Sequence, residues 1–206
     1  MKTFPYQYVA SKAIRFYPNR PDTFSGDVLE VGPGRGDLLL SLAAASAQTQ
    51  FVAIELGKKR FDKLIPRIEK RGLTNIVLIQ GDVRVVLPKY LAGHAFEKIY
   101  ILFPDPWPKK RHSPKRLLTA EFLQLIAAFL KPAGDLIIAT DVTFYALWVV
   151  QNAETVPQLC SVGTPFVDSS VLSDYEPTFF EAKWRGLGRD IHYLWFRRSP
   201  HPCPSP

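Results

Sequence analysis

The sequence predicts an α/β fold in which a parallel β-sheet is covered by helices on both faces. Short apolar segments alternate along the chain with segments whose apolar residues recur at helical spacing, a pattern typical of parallel sheets. The size agrees with one domain, because the chain has 206 residues, of which 47% are hydrophobic and 22% are charged. A third observation is that acidic residues stand at the ends of five predicted strands.

The first half of the chain contains three predicted strands and two predicted helices. The second helix is amphipathic, with apolar residues three and four positions apart and basic residues between them. A proline at position 66 predicts that this helix is kinked or split. The predicted elements are a strand at 27–31, a helix at 37–47, a strand at 51–55, a helix at 61–68 and a strand at 76–79.

The second half continues the alternation, and both ends of the chain differ from the middle. Residues 1–24 are read as a basic lead-in, residues 25–198 as one domain, and the Pro-rich residues 199–206 as a disordered tail. Trp184 and Arg185 are placed in a polar loop. The predicted elements are strands at 98–103, 135–140 and 191–196, and helices at 121–130 and 144–150; Pro132 and Gly134 end the first of these helices.

The charge balance favours a polyanionic partner. Lysine and arginine total 26 against 19 aspartate and glutamate residues, which gives a formal net charge of +7. No apolar run approaches the roughly 18 residues that span a bilayer, and the N-terminus lacks the apolar stretch of a signal peptide. Membrane attachment is therefore not expected.

The cysteine content points to a reducing compartment. The two cysteines are Cys160, which is predicted to be a core residue, and Cys203 in the Pro-rich tail. Two cysteines so placed predict neither a disulfide scaffold nor a cysteine-rich zinc site, and no metal site is expected. The cytoplasm is the predicted location.

Five acidic residues mark the ends of predicted strands. The carboxyl ends of parallel strands meet at one edge of a sheet, and ligands of open α/β sheets bind there. Folding itself does not require carboxylates at those positions, so the set predicts a ligand site. Its members are Glu30, Glu55, Asp82, Asp105 and Asp141.

A glycine-rich loop follows the first predicted strand. Gly32, Gly34 and Gly36 permit a tight turn and a close approach of the backbone to a ligand. The spacing is one residue shorter than in dinucleotide-binding loops. Glu30, just before the loop, would repel a pyrophosphate but would suit the ammonium and sulfonium groups of S-adenosylmethionine, which is therefore favoured over NAD.

Two further strand ends complete the predicted cofactor site. Glu55 can accept hydrogen bonds from both ribose hydroxyls, a role that is shared with NAD sites. Asp82 can accept a hydrogen bond from the adenine amino group.

The stretch after the fourth of these strands is the most specific in the sequence. Asp105 lies between two prolines, which restrict its backbone, and Trp107 follows two residues later. A run of positive charge without an acid comes next, and beside the Pro/Trp loop it predicts a phosphate-binding surface suited to RNA. The basic residues are Lys109, Lys110, Arg111, Lys115 and Arg116, with His112 among them.

Taken together, these motifs resemble those of the bacterial tRNA (guanine-N7-)-methyltransferases in order and spacing, over roughly residues 26–197. The segment 103–108, Phe-Pro-Asp-Pro-Trp-Pro, is highly specific, whereas the glycine loop is shared with most methyltransferases. The matching segments are 28–36, 53–55, 81–84, 103–112, 140–141 and 178–181, followed by Gly186.

The resemblance implies a Rossmann-like sheet of seven strands, parallel except for one near the C-terminus, which is assigned to 191–196. It implies that S-adenosylmethionine is the cofactor, that Asp105 is catalytic and faces the cofactor, and that a variable-loop guanine of tRNA is methylated. The sequence leaves a monomer and a homodimer both open. The family has a basic residue where Phe179 stands. The residues implied or predicted to contact tRNA are Lys109, Lys110, Arg111, His112, Asp141, Thr178, Phe179, Phe180 and Glu181.

Two other functions stay open at this point. One is a methyltransferase that acts on another RNA base or on an amino group. The other is a catalytically inert RNA-binding subunit with the same fold, although such a subunit would not need Glu30, Glu55 and Asp82.

Overall fold

Strands and helices alternate along most of the chain, as the hydrophobic pattern predicts. The computed structural model describes residues 14–19, 26–163, 165–168, 177–201 and 203. The elements are β1 (Arg15–Tyr17), β2 (Val28–Val31), α1 (Asp37–Ala45), β3 (Phe51–Glu55), α2 (Lys58–Lys70), β4 (Ile76–Gln80), α3 (Val83–Tyr90), β5 (Phe96–Leu102), a 3-10 helix (Lys110–Lys115), α4 (Ala120–Ala128), β6 (Leu130–Thr140), α5 (Thr143–Glu154), β7 (Leu159–Ser161), α6 (Phe179–Gly186) and β8 (His192–Arg198).

All eight strands belong to one sheet, in the order β1-β4-β3-β2-β5-β6-β8-β7. The five strands from β4 to β6 in that order are parallel, and β8 runs antiparallel to both of its neighbours, β6 and β7. The predicted fold class is confirmed, and the antiparallel strand predicted at 191–196 is β8. Strands β2 to β8 give the seven-stranded sheet that the resemblance implied.

β1 is an eighth strand that the sequence did not predict. It lies within the segment read as a basic lead-in and pairs antiparallel with β4, with Arg15 opposite Gln80 and Tyr17 opposite Leu78. Residues 1–13 and 20–24 of that segment are outside the described residues.

Several helices differ from the predicted ones. α2 continues through Pro66 instead of splitting there, because Pro66 lies on its exposed face while Phe61, Leu64 and Ile68 are buried on the other. α3 and α6 were not predicted, and α6 contains Trp184 and Arg185, which were placed in a loop. No helix in the described ranges is long and apolar enough to span a membrane.

β6 also begins earlier than predicted, at Leu130, and includes Pro132 and Gly134. The pairing of β5 with β6 shifts register between Phe96 and Lys98, which accommodates this irregular start. Gly134 is required there, because a Cβ would lie 2.9–3.1 Å from three backbone oxygens.

The core has two parts, one on each face of the sheet. On one face, α3, α4 and α5 cover strand residues such as Leu29 and Ile99, while on the other α1 and α2 cover residues such as Ala53 and Tyr100. Alternate residues of each strand enter opposite parts, as the twofold repeat of a strand requires. Both cores support the strand ends that carry the acidic residues.

The two cysteines form a disulfide, which the sequence did not predict: Cys160 was expected in the core, and the two cysteines were read as pointing to a reducing compartment, an argument that the disulfide removes. Cys160 lies in β7, is half-buried and is bonded to Cys203. The backbone N–H groups of Ser199 and Cys203 donate to the carbonyls of Gln158 and Pro157. Part of the tail predicted to be disordered is therefore attached to the domain at β7; residues 202 and 204–206 are outside the described residues.

Candidate active site

The parallel strands bring the five predicted carboxylates to one edge of the sheet. Glu30 lies in β2, Glu55 ends β3, and Asp82 follows β4. Asp105 and Asp141 follow β5 and β6. The adjacency of these strands in the sheet explains why residues spread over more than half of the chain share one edge.

The loop between β2 and α1 is built on three glycines in the left-handed region, with φ of 72° at Gly32, 57° at Gly34 and 76° at Gly36. A Cβ at Gly32 would meet nothing within 4 Å, and one at Gly34 only the carbonyl of Gly32 at 3.9 Å. At Gly36 it would lie 2.3 Å from Leu64 Cδ1. Gly32 and Gly34 thus leave open space above the backbone, whereas Gly36 lets α2 pack closely against the loop.

Glu30 is a buried carboxylate with one unpartnered oxygen. Its side chain is only 5% exposed, and Oε2 has no hydrogen-bond partner among the described residues. Burial raises its pKa to about 8; the backbone of Leu39 opposes the increase, while the negative charges of Asp37 and Glu55 add to it. A buried group of this kind is suited to a positively charged ligand.

Glu55 connects the glycine loop to β3. Its Oε2 accepts a hydrogen bond from the N–H of Gly34 at 3.1 Å, and its Oε1 accepts one from the N–H of Gly57 at 2.6 Å. Although the side chain is 2% exposed, each oxygen keeps a further lone pair for a hydroxyl donor.

Asp82 has a partner that the sequence analysis did not assign. It caps α3 by accepting from the N–H of Arg84 at 3.0 Å, and its two oxygens also accept from Arg84 Nε and Nη2 at 2.9 and 2.6 Å. The segment 81–84 contains this aspartate and arginine two residues apart, the spacing of a helix N-cap, so the local sequence does signal the contact. An adenine amino group would share Asp82 with Arg84.

These residues fit S-adenosylmethionine. The unpartnered Glu30 Oε2 suits its cationic groups, the open space above Gly32 and Gly34 accommodates a ligand against the backbone, and Glu55 can accept from hydroxyls. In the described ranges, no group of three or more His, Cys, Asp or Glu residues is arranged to hold a metal ion.

Asp105 is exposed in a strained loop at the end of β5. Phe103 and Trp107, on either side of it, have φ of 49° and 41°, which non-glycine residues rarely adopt. Its carboxylate has no hydrogen-bond partner among the described residues. The side chain is therefore free to contact a substrate.

The basic run after this loop forms the 3-10 helix and surrounds Trp107. Lys115 Nζ lies 4.8 Å from the centroid of the Trp107 ring, and His112 meets that ring edge-on at 5.6 Å. Lys109 and Arg111 are exposed, as a phosphate-binding surface requires. The Lys110 side chain is outside the described structure.

Asp141 is paired with Arg189 and is not open to the solvent. Arg189 Nη1 lies 2.5 Å from Asp141 Oδ2, and the aspartate side chain is 10% exposed. The Arg189 guanidinium also lies 4.3 Å from the centroid of Trp184. The resemblance implied that Asp141 contacts tRNA; in the structure its carboxylate is paired with Arg189, which is exposed.

The motif at 178–181 starts α6. Thr178 Oγ1 accepts a hydrogen bond from the N–H of Glu181 at 3.2 Å, as in a capping box. Glu181 is 1% exposed and accepts from Tyr193 Oη at 2.5 Å and from Arg185 Nε at 2.9 Å. Burial and the hydrogen bond from its hydroxyl to Glu181 raise the pKa of Tyr193. Thr178 and Glu181 therefore stabilise the helix, although both were expected to contact tRNA.

Phe179 and Phe180 differ in exposure. Phe179 is 45% exposed, its N–H donates to Asp37 Oδ2 at 3.2 Å, and the Arg35 guanidinium lies 4.2 Å from its ring centroid. Phe180 is half-buried and contacts Phe179 edge-on. Arg35 of the glycine loop thus brings a guanidinium group next to Phe179.

Comparison with known proteins places this arrangement among methyltransferases. The family described as putative methyltransferase matches residues 25–194. The chain is 37% identical to a tRNA (guanine-N(7)-)-methyltransferase of Nitrosomonas eutropha over 84% of this chain and 76% of that protein. It is also 37% identical to one of Corynebacterium diphtheriae, over 83% of this chain and 67% of that protein.

Solved structures agree on the fold. The 16S rRNA methyltransferase KamB has a TM-score of 0.64 at 17% identity, over 86% of this chain and 89% of that one. An antibiotic-related methyltransferase has a TM-score of 0.61 at 19% identity, over 84% of this chain and 89% of that one. At these identities the likeness supports the architecture alone.

Proposed function

Because the chain belongs to the tRNA (guanine-N(7)-)-methyltransferase family, we propose that it transfers a methyl group from S-adenosylmethionine to N7 of a guanine in tRNA. The product is 7-methylguanosine, and the variable loop is the proposed location of the guanine. Since tRNA is the substrate, we place the reaction in the cytoplasm.

Residues at the ends of β2, β3 and β4 would hold the cofactor, which when bound supplies a methyl group on a positively charged sulfur. Glu30 would face its cationic groups, and Gly32 and Gly34 would lie against it. Glu55 would accept from the ribose hydroxyls, and Asp82, together with Arg84, would lie at the adenine.

The observation that carries the proposal is the exposed carboxylate of Asp105 beside this cofactor site. Guanine N7 has an in-plane lone pair and no proton, so its attack on a methyl carbon needs no general base. Asp105 accepts hydrogen bonds from guanine N1–H and the exocyclic amine, which orients N7. Its negative charge stabilises the positive charge that guanine gains, so catalysis is mainly positioning and electrostatics.

The basic surface beside Asp105 supports tRNA as the substrate. Exposed Lys109 and Arg111 can bind phosphates next to the guanine. His112 packs against Trp107 and has no proton to carry in this reaction. The exposed guanidinium groups of Arg35 and Arg189 lie in the neighbouring loops, each paired with an aspartate, Asp37 and Asp141.

The test is methyl transfer from labelled S-adenosylmethionine to an unmodified tRNA transcript, followed by nucleoside mass spectrometry. We expect 7-methylguanosine from the wild type and a rate about 100-fold lower from Asp105→Asn, which keeps the shape of the side chain but removes its charge. The matched control is Glu97→Gln, because Glu97 is exposed at the opposite end of β5 and should not affect the rate.

Three results would contradict the proposal. A near-wild-type rate for Asp105→Asn would remove the electrostatic role of Asp105. Methylation of a different base would keep the cofactor site but change the target. Cofactor binding without transfer to tRNA would favour an RNA-binding subunit.

A further inference from the structure

Arg116 is the last residue of the basic run, but its contacts differ from those of a phosphate-binding arginine. Its Nε donates to the carbonyl of Pro106 at 3.1 Å, and its Nη2 donates to the carbonyl of Trp107 at 3.3 Å. The residue is half-buried. Two of its donors are therefore committed to the backbone that directly follows Asp105.

The loop that Arg116 contacts needs external support. Phe103 and Trp107 have positive φ values, and such strained conformations persist only where surrounding contacts enforce them. On the N-terminal side, the Phe103 N–H donates to the carbonyl of Ala139 at 2.8 Å and fixes the loop to β6. On the C-terminal side, Arg116 provides the corresponding attachment.

Aromatic residues of α5 hold the Arg116 guanidinium in place. It lies 4.9 Å from the ring centroid of Trp148 and 5.4 Å from that of Phe144. Tyr145 stacks on Trp148 at 5.5 Å and is fully buried. Burial raises the pKa of Tyr145; the backbone of Leu118 and the positive charge of Arg116 oppose the increase, and the negative charge of Asp105 adds to it.

We propose that Arg116 is a positioning residue that connects α5 to the Asp105 loop and fixes the direction of the Asp105 carboxylate. This inference rests on the proposed function for its catalytic consequence, because Asp105 must be oriented toward the substrate guanine. A planar guanidinium can bridge two carbonyls while stacking on an indole, whereas a lysine ammonium cannot reproduce this geometry.

The competing role is the one that the charge run predicted, direct contact with an RNA phosphate. The two roles have different consequences. A phosphate contact lowers tRNA affinity and its salt dependence when it is removed. A positioning residue lowers the rate at saturating substrates and leaves both affinities little changed.

The first experiment detects the contact without requiring activity. The protein has four tryptophans, and 5-fluorotryptophan gives each a ¹⁹F resonance that Trp→Phe variants assign. We expect Arg116→Lys to shift the Trp107 and Trp148 resonances and to leave those of Trp184 and Trp195 in place. Unchanged Trp107 and Trp148 resonances would overturn the proposal.

The matched control is Arg197→Lys. Arg197 lies 5.2 Å from the Trp195 ring centroid and, like Arg116, donates through Nε and Nη2, here to Asp135. It lies opposite Asp135 at the far end of the sheet from Asp105. This variant should shift Trp195 alone and should methylate tRNA at the wild-type rate.

The second experiment measures kinetics for the wild type, Arg116→Lys and Arg116→Gln. We expect kcat to fall about 10- to 100-fold, with the affinities for S-adenosylmethionine and tRNA little changed. A loss of tRNA affinity with an unchanged kcat would assign Arg116 to phosphate and overturn the proposal. If Arg116→Gln does not fold, the kcat and the tRNA affinity of Arg116→Lys, which keeps the positive charge, decide between the two roles.

Failure of the proposed function would have a separate signature. A wild type that forms no 7-methylguanosine would refute the proposed reaction, and the fluorine resonances would still decide whether Arg116 holds the loop. Formation of 7-methylguanosine at equal rates by the wild type and both Arg116 variants would refute the positioning role alone.

Discussion

A buried carboxylate such as Glu30 costs free energy until a ligand satisfies it. Its Oε2 has no partner in the described structure, and burial raises its pKa to about 8. The same burial that destabilises the charged form prepares Glu30 to bind a cation. The cost to stability and the proposed affinity for the cofactor therefore have one origin.

Glu30→Gln should change how stability depends on pH. The folded pKa of about 8 lies above the ordinary value of 4.5, so the folded state holds a proton that the unfolded state releases in this range. The free energy of unfolding of the wild type should therefore fall as pH rises from about 4.5 to 8, by up to about 1.4 kcal/mol per pH unit. The amide of the variant has no proton to release, so this part of the decline should disappear.

The measurement is urea unfolding of the cofactor-free protein at pH 5.5 and 7.5, with Glu97→Gln as the exposed control. Equal pH dependence in Glu30→Gln and the wild type would show that Glu30 does not titrate as its burial predicts. The variant should also lose affinity for S-adenosylmethionine, measured by calorimetry.

At single positions, the sequence predicted that the carboxylates of the site lie at strand ends, where the structure has them, but it did not predict their partners. Glu30, Glu55 and Asp105 could be predicted because each follows a local pattern of strand and loop. Arg116 and Arg189 could not be assigned, because their contacts depend on elements far apart in the chain. A charge run does not distinguish an arginine that faces solvent from one that holds a backbone loop.

Among the elements, the contact between the glycine loop and α2 depends on the absence of one side chain. A Cβ at Gly36 would lie 2.3 Å from Leu64 Cδ1, and φ there is 76°. Gly72 has a similar φ of 62° but nothing within 4 Å of its Cβ position. Comparing substitutions at Gly36 and Gly72 therefore separates the cost of steric overlap from the cost of backbone strain.

Gly36→Ala should destabilise the protein more than Gly72→Ala. The backbone term alone costs about 1–2 kcal/mol at either position, and overlap with Leu64 adds about 1–3 kcal/mol at Gly36 only. Chemical denaturation of both variants gives the difference. Equal losses would mean that α2 moves aside without cost.

The elements that the sequence missed have local reasons. α3 contains three valines and Pro88, which disfavour a helix, yet Val83, Val86 and Leu87 are buried and the Asp82 cap starts it. α6 could have been found, because Thr178 and Glu181 have the spacing of a capping box. α2 shows that a proline on an exposed face does not end a helix whose other face is buried.

For the whole molecule, we expect the net charge of +7 to affect tRNA binding mainly where the basic residues are concentrated. The affinity for tRNA should fall steeply as the salt concentration rises. Lys109→Gln and Arg111→Gln should each reduce the slope of log affinity against log salt concentration by about 0.7–0.9. Filter binding over a salt series measures this. The control is Lys131→Gln, because Lys131 is paired with Glu97 at the end of the strands opposite the acidic residues; this variant should leave the slope unchanged. Equal slopes for all three variants would mean that tRNA does not bind at Lys109 and Arg111.

The Cys160–Cys203 disulfide should stabilise the fold without affecting the reaction. It closes a separation of 43 residues beside the edge strand β7, and opening such a loop costs about 2–4 kcal/mol. Thermal unfolding with and without reductant, and of Cys203→Ser, measures the loss. The initial methylation rate should not change, and a reduced rate would connect β7 to the active site.

The two edge strands of the sheet, β1 and β7, affect how readily the protein can aggregate. β4 would present an unpaired row of backbone groups along a largely apolar strand, but three residues of β1 cover it. At the other edge, β7 is only three residues long, and the tail is bonded to the residues just before it. Unpaired edges invite pairing between chains, so we expect β1 and the attached part of the tail to protect the folded enzyme from self-association.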